Sequence, residues 1–376
     1  MLQLKNPALY GLVLASSLLL TGCSDSDSDT TTGSDNSLPQ GVRVASVDTT
    51  HNLPVYFDLS TGQTTSADGD WQVAYQRYVG FWTSEQTKAC IAHSYPNLFN
   101  DNGEAIRTEF DRLNANDTLN DFLAIDINNT DICNPEHDKI NTLIPTTGWY
   151  SGYRGPGTSP NIHDDGTNGW IIQSADGNQY ARIRFSSFIP MQMQLTLEVE
   201  HWNGSTFNSP IQSPAITFLN GPVYWDLESN SLAHENDDWE LKFSRGQGFE
   251  WQIQINGGAS GTGNTGVVGS DGTNPQGVGA LVSNSVWEVT DPTNTAQVYR
   301  FFADSKEGAF SSPGDYGAFQ YAVGGNNHLM FPTFTTYLIE KNGVYHKLQV
   351  ISNYGEDGNS PSGHLVYRFS EAVSQQ

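Results

Sequence analysis

One pattern of residues occurs twice in this chain, and its two copies lie 168 positions apart. The first copy has PVYFDL at residues 54–59, then Asp70-Trp71 and Arg77; the second has PVYWDL at residues 222–227, then Asp238-Trp239 and Arg245. Gly80-Phe81 and Gly248-Phe249 also lie 168 positions apart in the sequence. An apolar strand, a polar turn and a second strand that opens on Trp indicate a hairpin. Two copies so far apart predict two domains of one design, not a solenoid of short repeats.

The segment between the copies predicts a domain boundary. Residues 203–214 are rich in Asn, Ser and Pro, which is typical of a linker. We therefore expect a first domain at 41–205, with an insertion at 83–147, and a second domain at 215–376. The chain has 37 Gly, 18 Phe, 16 Tyr and 9 Trp and few segments of helical period, which favours many strands joined by polar turns. The predicted fold class is all-β, as two tandem β-rich domains with a small helical insertion in the first.

The insertion predicts two short helices and a covalent link. Residues 104–113 carry apolar side chains at helical spacing, and residues 118–124 predict a second helix capped by Asp117. Cys90 and Cys133 form an even pair, which in an oxidising compartment indicates one disulfide. A metal site that adds His93 and His137 to the two thiols is the alternative, because the spacings resemble those of zinc ligands.

The first forty residues predict export and a membrane anchor. Residues 12–20 form an apolar run that is too short to span a bilayer, and Leu20-Thr21-Gly22 precedes Cys23. Residues 1–22 therefore read as a signal peptide of the bacterial lipobox type, which implies lipidation of Cys23. Residues 23–40 are polar and Ser/Asp-rich, as in an unstructured tether. We expect an outer-membrane lipoprotein that faces either the periplasm or the cell surface.

The charge of the chain excludes two classes of partner. It has 17 Lys and Arg against 41 Asp and Glu, which gives a net charge of −24. Such a field repels nucleic acid and anionic lipid, so neither is an expected partner.

Two motifs in the chain imitate known ligand sites without completing them. Residues 126–131 begin like a calcium loop but lack its Gly and its final Glu. Residues 261–266 (GTGNTG) match a dinucleotide fingerprint, but the residues that follow cannot open a helix. No nucleophile elbow or HExxH is present, so we do not expect an enzyme.

The second repeat resembles the HmuY-like haem-binding lipoproteins. The resemblance rests on the Asp-Leu strand, the Asp-Trp strand, the NGGASG loop at 256–261, the YLIEKNGVYHKLQ hairpin at 337–349 and the closing strand at 364–369. It covers residues 223–369, and the first repeat is a divergent copy. The resemblance implies two-sheet β domains, a lipid anchor, and capture of haem between two axial side chains. The implied partners are haem, an outer-membrane haem receptor and host haemoproteins.

The chemistry of haem iron selects candidate ligands. His imidazole and Met thioether are common axial ligands, which points to His328 and Met330, with His346 and His163 as further candidates. Two residues two positions apart on a strand share one face, so this pair alone cannot hold both faces of one haem. The predicted pocket residues are Tyr321, Phe331, Phe334 and Lys347.

A second function fits the same composition. Aromatic-rich sheets also suit stacking on sugars, so the alternative is a non-catalytic surface adhesion or glycan-binding module, with calcium held by Asp/Asn loops. A hydrolase with an unrecognised site is the third hypothesis.

Overall fold

We describe the protein from a computed structural model, which covers residues 38–127, 129, 131–246, 250–270, 285–325, 327–370 and 373–374. Cys23, the predicted leader and most of the predicted tether lie outside the described residues, as do Gly248 and Phe249. Among the described residues, no helix has the length and apolar character needed to cross a bilayer.

The described part of the chain is mostly β-strand, which confirms the predicted all-β class. The strands, in chain order, are β1 (Val42–Asp48), β2 (Val55–Asp58), β3 (Gln63–Thr65), β4 (Val73–Gln76), β5 (Gly80–Thr83), β6 (Thr87–His93), β7 (Lys139–Asn141), β8 (Tyr150–Ser151), β9 (Asn161–Ile162), β10 (Trp170–Gln173), β11 (Tyr180–Ile189), β12 (Gln194–His201), β13 (Ile211–Gln212), β14 (Ile216–Thr217), β15 (Val223–Asp226), β16 (Ser231–Ala233), β17 (Leu241–Arg245), β18 (Trp251–Ile255), β19 (Gly266–Gly269), β20 (Ser305–Glu307), β21 (Phe319–Tyr321), β22 (Met330–Pro332), β23 (Thr336–Lys341), β24 (Val344–Ser352), β25 (His364–Ser370) and β26 (Val373–Ser374). The helices are α1 (Arg107–Arg112) and α2 (Leu119–Ala124), with short 3-10 turns at Pro96–Leu98, Pro190–Gln192, Val286–Glu288 and Ala309–Ser311.

Strands from the two ends of the chain form one lobe, which we call the outer lobe. Its large sheet has the order β1-β25-β24-β23-β6, and its small sheet has the order β3-β2-β4-β5. The sheets share one core, in which Phe57 of the small sheet meets Tyr367 of the large sheet with ring centroids 4.9 Å apart.

The middle of the chain forms a second lobe, the inner lobe, which likewise has one large and one small sheet. Its large sheet has the order β13-β12-β11-β10-β19, and its small sheet has the order β16-β15-β17-β18. In β12 the side chains of Leu195, Leu197 and Val199 point into the core, while the residues between them face outward. This alternation follows from the two-residue period of a strand and fixes which face is buried.

Each lobe combines strands of both sequence repeats. In the outer lobe β6 of the first repeat pairs with β23 of the second, and β1 pairs with β25. In the inner lobe β10 of the first repeat pairs with β19 of the second, and β12 pairs with β14. Residues 39–376 accordingly form one compact unit. The predicted boundary at 205–215 therefore does not separate the sheets, because the two repeats exchange strands instead of folding side by side.

The insertion in the structure is shorter than the range predicted from the sequence, residues 83–147. Residues 87–93 form β6, a strand of the outer large sheet, so they belong to the repeated scaffold. Both helices are present, but the N-cap of α2 is Thr118 and not the predicted Asp117. Cys90 and Cys133 are joined by a disulfide with Cα atoms 6.0 Å apart, so the thiols do not form a metal site with His93 and His137.

Two basic side chains hold the helical segment against the outer large sheet. The ammonium of Lys347 donates to the carbonyl oxygens of Phe122 and Ile125 at 2.7 and 2.8 Å. The guanidinium of Arg368 donates to the carbonyl of Ala115 at 2.6 Å. Burial lowers the pKa of Lys347 to about 8. Carbonyl groups at a helix end favour a nearby cation, so these contacts are structural.

The repeated hairpins keep the same internal contacts. Tyr56 lies 4.9 Å from Trp71, and Tyr224 lies 5.1 Å from Trp239, measured between ring centroids. Each indole N–H donates to a carbonyl four residues earlier in the chain. The two Trp residues therefore make the same packing contacts in both repeats.

Glu240 replaces a neutral side chain at an equivalent position. Gln72 accepts the backbone N–H of Leu59 at 2.6 Å, and Glu240, 168 positions later, accepts that of Leu227 at 2.5 Å. Its other oxygen accepts the N–H of Ala175 at 2.9 Å. Glu240 is 0% exposed, and this burial raises its pKa to about 7. A carboxyl group with a raised folded-state pKa favours folding at low pH, and this contribution is lost as the pH rises from about 4.5 through about 7.

The exchange of strands predicts that neither half of the chain folds alone. Fragments 38–208 and 209–376, cut in an exposed loop, each lack the partner strands of two sheets. We expect each fragment alone to show no cooperative thermal unfolding by circular dichroism. Mixed in equal amounts, they should form a 1:1 complex with the spectrum of the intact chain. A cooperative melt of either isolated fragment would contradict the exchange.

Glu240→Gln tests the buried carboxyl group. The amide can accept only one of the two N–H bonds, so at pH 4.5 the variant should be less stable than the wild type by about 1–3 kcal/mol. Above pH 7 the wild type must ionise Glu240, which costs about 3 kcal/mol. The stability difference, measured by urea unfolding, should therefore narrow or reverse between pH 4.5 and 8. A difference that does not change with pH would show that Glu240 titrates normally.

Candidate functional site

The side chains predicted as haem ligands lie at a cleft that is rich in tyrosine. This tyrosine cleft has a volume of about 260 Å³. It lies where the β4–β5 turn and the β21–β22 hairpin of the outer lobe meet the segment at Tyr299 and Arg300. Its lining consists of Tyr75, Arg77, Tyr78, Gly80, Tyr299, Arg300, Tyr316, Tyr321, His328, Met330, Asn353 and Ser362.

His328 is oriented by a neighbouring phenol. Its Nδ1 lies 2.6 Å from the hydroxyl oxygen of Tyr321. When Nδ1 donates to that oxygen, Nε2 carries the lone pair and can bind a metal ion, as in many metal sites where the second nitrogen is held by a hydrogen bond. Met330 lies opposite Tyr321 in the β21–β22 pair, so His328, Tyr321 and Met330 meet at one edge of the cleft.

The sequence pattern suggested that His328 lies on a strand with Met330. In the structure His328 lies in the turn before β22. Its φ is 53°, a left-handed conformation that side chains other than Gly seldom adopt. Ala322, next to Tyr321, has φ 51°, and Tyr78 on the opposite wall has φ 71°. Strained backbone of this kind is concentrated at ligand sites, because the surrounding structure must maintain it.

Two guanidinium groups face the same cleft without a carboxylate partner. Arg300 lies over the ring of Tyr78 at 3.2 Å from its centroid, and Arg77 lies 4.9 Å from the same centroid. Among the described residues neither arginine forms an ion pair, whereas Arg182 and Arg184 pair with Glu200 and Glu198. In a chain of net charge −24, two unpaired cations at one cleft indicate an anionic ligand.

Burial limits which phenols can ionise. The pKa of Tyr75 is raised well above its usual value because the side chain is buried, and the pKa of Tyr316 is raised for the same reason. Both remain neutral near pH 7, so they can stack and donate hydrogen bonds but do not supply a phenolate. The imidazole of His328 is therefore a stronger metal donor than these phenols.

The other two predicted ligands lie elsewhere. His346 is 2% exposed in β24, where its Nδ1 lies 3.4 Å from the carbonyl of Ser370. His163 follows β9 in the inner lobe, and its Nδ1 lies 3.1 Å from the hydroxyl of Thr167. Neither residue lines the tyrosine cleft.

Three predicted pocket residues also lie outside the cleft. Phe331 points away from Met330 on the same strand and packs on Phe110, with ring centroids 6.0 Å apart. Phe334 is 5% exposed and does not line the cleft. Lys347 is engaged with carbonyl groups of the helical segment. Of the predicted pocket residues, Tyr321 alone lines the cleft.

Sequence reasoning missed several residues that line the cleft. Tyr75, Tyr299, Arg300 and Tyr316 belong to separate segments, and no motif links them. Tyr78 did carry a signal: the residue 168 positions later is Gly246, so the repeats differ at this turn.

An acidic cluster in the inner lobe does not form an open cation site. Asp226, Glu228 and Glu240 bring one oxygen each within 4.8 Å of one another. Both oxygens of Glu240 already accept backbone N–H groups. The cluster therefore lends no support to the calcium-dependent alternative.

Known proteins provide no assignment for this arrangement. No protein-family model matches the chain, and no curated protein and no solved structure does. The function must therefore be argued from the site itself.

Proposed function

We propose that this chain is a non-catalytic haem-binding protein and that the tyrosine cleft is its haem site. One observation carries the proposal: a histidine with a free nitrogen and two arginines without carboxylate partners line the same aromatic cleft. Haem offers the matching chemistry, since it has an iron that binds imidazole, a flat apolar ring and two carboxylates.

The donor set of the cleft fits haem in three respects. His328 supplies one axial ligand, and Met330 beside it adds apolar surface to the same edge of the cleft. The exposed rings of Tyr299 and Tyr321 provide apolar surface, and Arg77 and Arg300 provide cations for carboxylates. A volume of about 260 Å³ is slightly below the range of about 300–1,000 Å³ for pockets that enclose small ligands. The macrocycle would therefore be held with an edge outside the cleft, which suits a protein that passes its ligand on.

The predicted anchor gives this binding a biological setting. A lipid on Cys23 would hold the protein at the outer membrane. Haem taken from a host haemoprotein would then be offered to an outer-membrane receptor. An open edge of the bound ring would let the receptor engage the ligand before release.

Hemin titration into residues 24–376 tests the proposal. We expect a sharpened, shifted Soret band that saturates at one hemin per chain. His328→Ala should remove the axial ligand and weaken binding at least about tenfold, which corresponds to about 1.4 kcal/mol. His163→Ala, a change at a histidine of the inner lobe, is the matched control and should leave the spectrum unchanged. Equal binding by the wild type and His328→Ala would show that His328 does not bind the iron. Absence of binding by the wild type would overturn the proposed function.

The arginines can be tested independently of the iron ligand. Arg300→Ala should weaken hemin binding by about 10- to 150-fold, because a charge-assisted hydrogen bond to a carboxylate contributes about 1.5–3 kcal/mol. The dimethyl ester of hemin lacks these charges, so the variant and the wild type should bind it equally. A variant that loses affinity for both ligands would assign Arg300 a structural role.

A further inference from the structure

The two repeats meet at a pair of equivalent strands. Asp138 directly precedes β7 and accepts the N–H of Thr83 at 2.7 Å, while Asp304 directly precedes β20 and accepts that of Ile255 at 2.9 Å. Thr83 pairs with Val73, and Ile255 pairs with Leu241, which is 168 positions after Val73. The segments before β7 and β20 therefore play the same role in the two repeats.

β7 and β20 pair with each other as two copies do across a two-fold axis. Lys139 lies opposite Glu307 and Asn141 lies opposite Ser305, with Ile140 and Lys306 facing each other in the middle. Such reciprocal pairing is the property of an isologous contact. The Ile140–Lys306 pair thus marks an approximate two-fold axis between the repeats.

A cavity of about 450 Å³ lies at this axis, and we call it the axial cavity. Ile140 and Lys306 both line it. Its walls come from the outer faces of the two repeated small sheets: Tyr56, Trp71 and Trp82 from the first repeat, and Lys242 and Gln254 from the second. Its volume lies in the range of pockets that enclose a small ligand.

The two walls have diverged at equivalent positions. Ala74 pairs with Trp82 in the first small sheet, and Lys242 pairs with Gln254 in the second. One wall is therefore aromatic, while the other presents an ammonium and an amide. Two identical walls would have served an approximately symmetric ligand, whereas these two suit a ligand with one apolar face and one polar, acidic edge.

The ring of Trp71 in the aromatic wall is held in place by a hydrogen bond. The indole N–H of Trp71 donates to the carbonyl of Ala67 at 2.8 Å, and the ring of Tyr56 lies 4.9 Å from that of Trp71. Trp82 is 2% exposed. Because the indole N–H of Trp71 is already satisfied, what this ring offers the cavity is its apolar surface, which favours contact with the C–H face of a ring.

The polar wall contains a cation without a carboxylate partner. The ammonium of Lys242 lies 5.6 Å from the centroid of the Tyr224 ring and forms no ion pair with any residue that the structure describes. Lys306, by contrast, donates to the carbonyl of Thr83 at 2.8 Å. Lys242 is therefore the group available to an incoming anion, and Gln254 can both donate and accept.

We propose that the axial cavity binds an acidic saccharide, with a sugar ring on the Tyr56–Trp71 wall and its carboxylate on Lys242. Sugar hydroxyls need hydrogen-bond donors and acceptors together. The cavity supplies both, from Gln254, Ser84, Glu85, Asp138, Ser260 and Thr262. An apolar ligand would leave these groups and Lys242 unpaired. The site is separate from the tyrosine cleft, so this proposal does not depend on haem binding.

Calorimetric titration of the intact chain with tri-galacturonic acid tests the site, with neutral galactotriose as the matched sugar. We expect saturable binding of the acidic trimer together with a change in tryptophan fluorescence. The neutral trimer should bind at least about tenfold more weakly. Absence of saturable binding by the acidic trimer, or equal affinity for the two sugars, overturns the proposal.

Lys242→Ala assigns the carboxylate contact. The first repeat carries Ala74 at this position, so the substitution is compatible with the fold of the sheet. It should lower the affinity for the acidic trimer about tenfold and leave that for the neutral trimer unchanged. Lys88→Ala, at a surface lysine paired with Glu340, is the control and should change neither. Undiminished binding of the acidic trimer by Lys242→Ala, with an unchanged circular dichroism spectrum, overturns the assignment.

Discussion

Backbone pairing between strands of different repeats is the constraint on which the whole molecule depends. β6 needs β23, and β10 needs β19, to complete the large sheet of each lobe. A half of the chain on its own would expose these strand edges and one side of each core, which is unfavourable in water and invites aggregation. The protein is therefore one cooperative unit, even though its sequence is two copies of one pattern.

The exchange also explains where the cavities lie. The tyrosine cleft forms where the β4–β5 turn of the outer lobe meets Tyr299 and Arg300, and the axial cavity forms where the two small sheets face each other. Neither site belongs to a single repeat. Some equivalent positions at which the two repeats differ lie at these junctions. Tyr78 corresponds to Gly246, and Lys242 corresponds to Ala74. A duplicated scaffold can in this way keep its core contacts while its shared surfaces acquire different chemistry.

Sequence patterns selected the residues of the tyrosine cleft that lie close together in the chain. Tyr321, His328 and Met330 lie within one hairpin, and a local pattern of aromatic and metal-binding residues was enough to select them. Arg300 and Tyr299 reach the cleft from a segment with no regular structure, so no spacing rule could include them. Lys347 was predicted to be a residue of the haem pocket. The sequence around a lysine on a strand does not reveal which group its ammonium contacts. Its actual partners are carbonyl groups of the helical segment, more than two hundred residues earlier.

The sequence by itself determined the strand-rich class, the repeated hairpins and the Cys90–Cys133 link, because each depends on local periodicity, on turn residues or on an even pair of thiols. Only the tertiary structure decided which half completes which sheet. The reason is physical: β10–β12 and β23–β25 are equivalent, so either set offers the same hydrogen-bonding edge and the same alternating core face to β6 or to β19. The order of local patterns is identical for exchanged and unexchanged repeats, and the choice between them depends on long-range packing and on the connections between the strands.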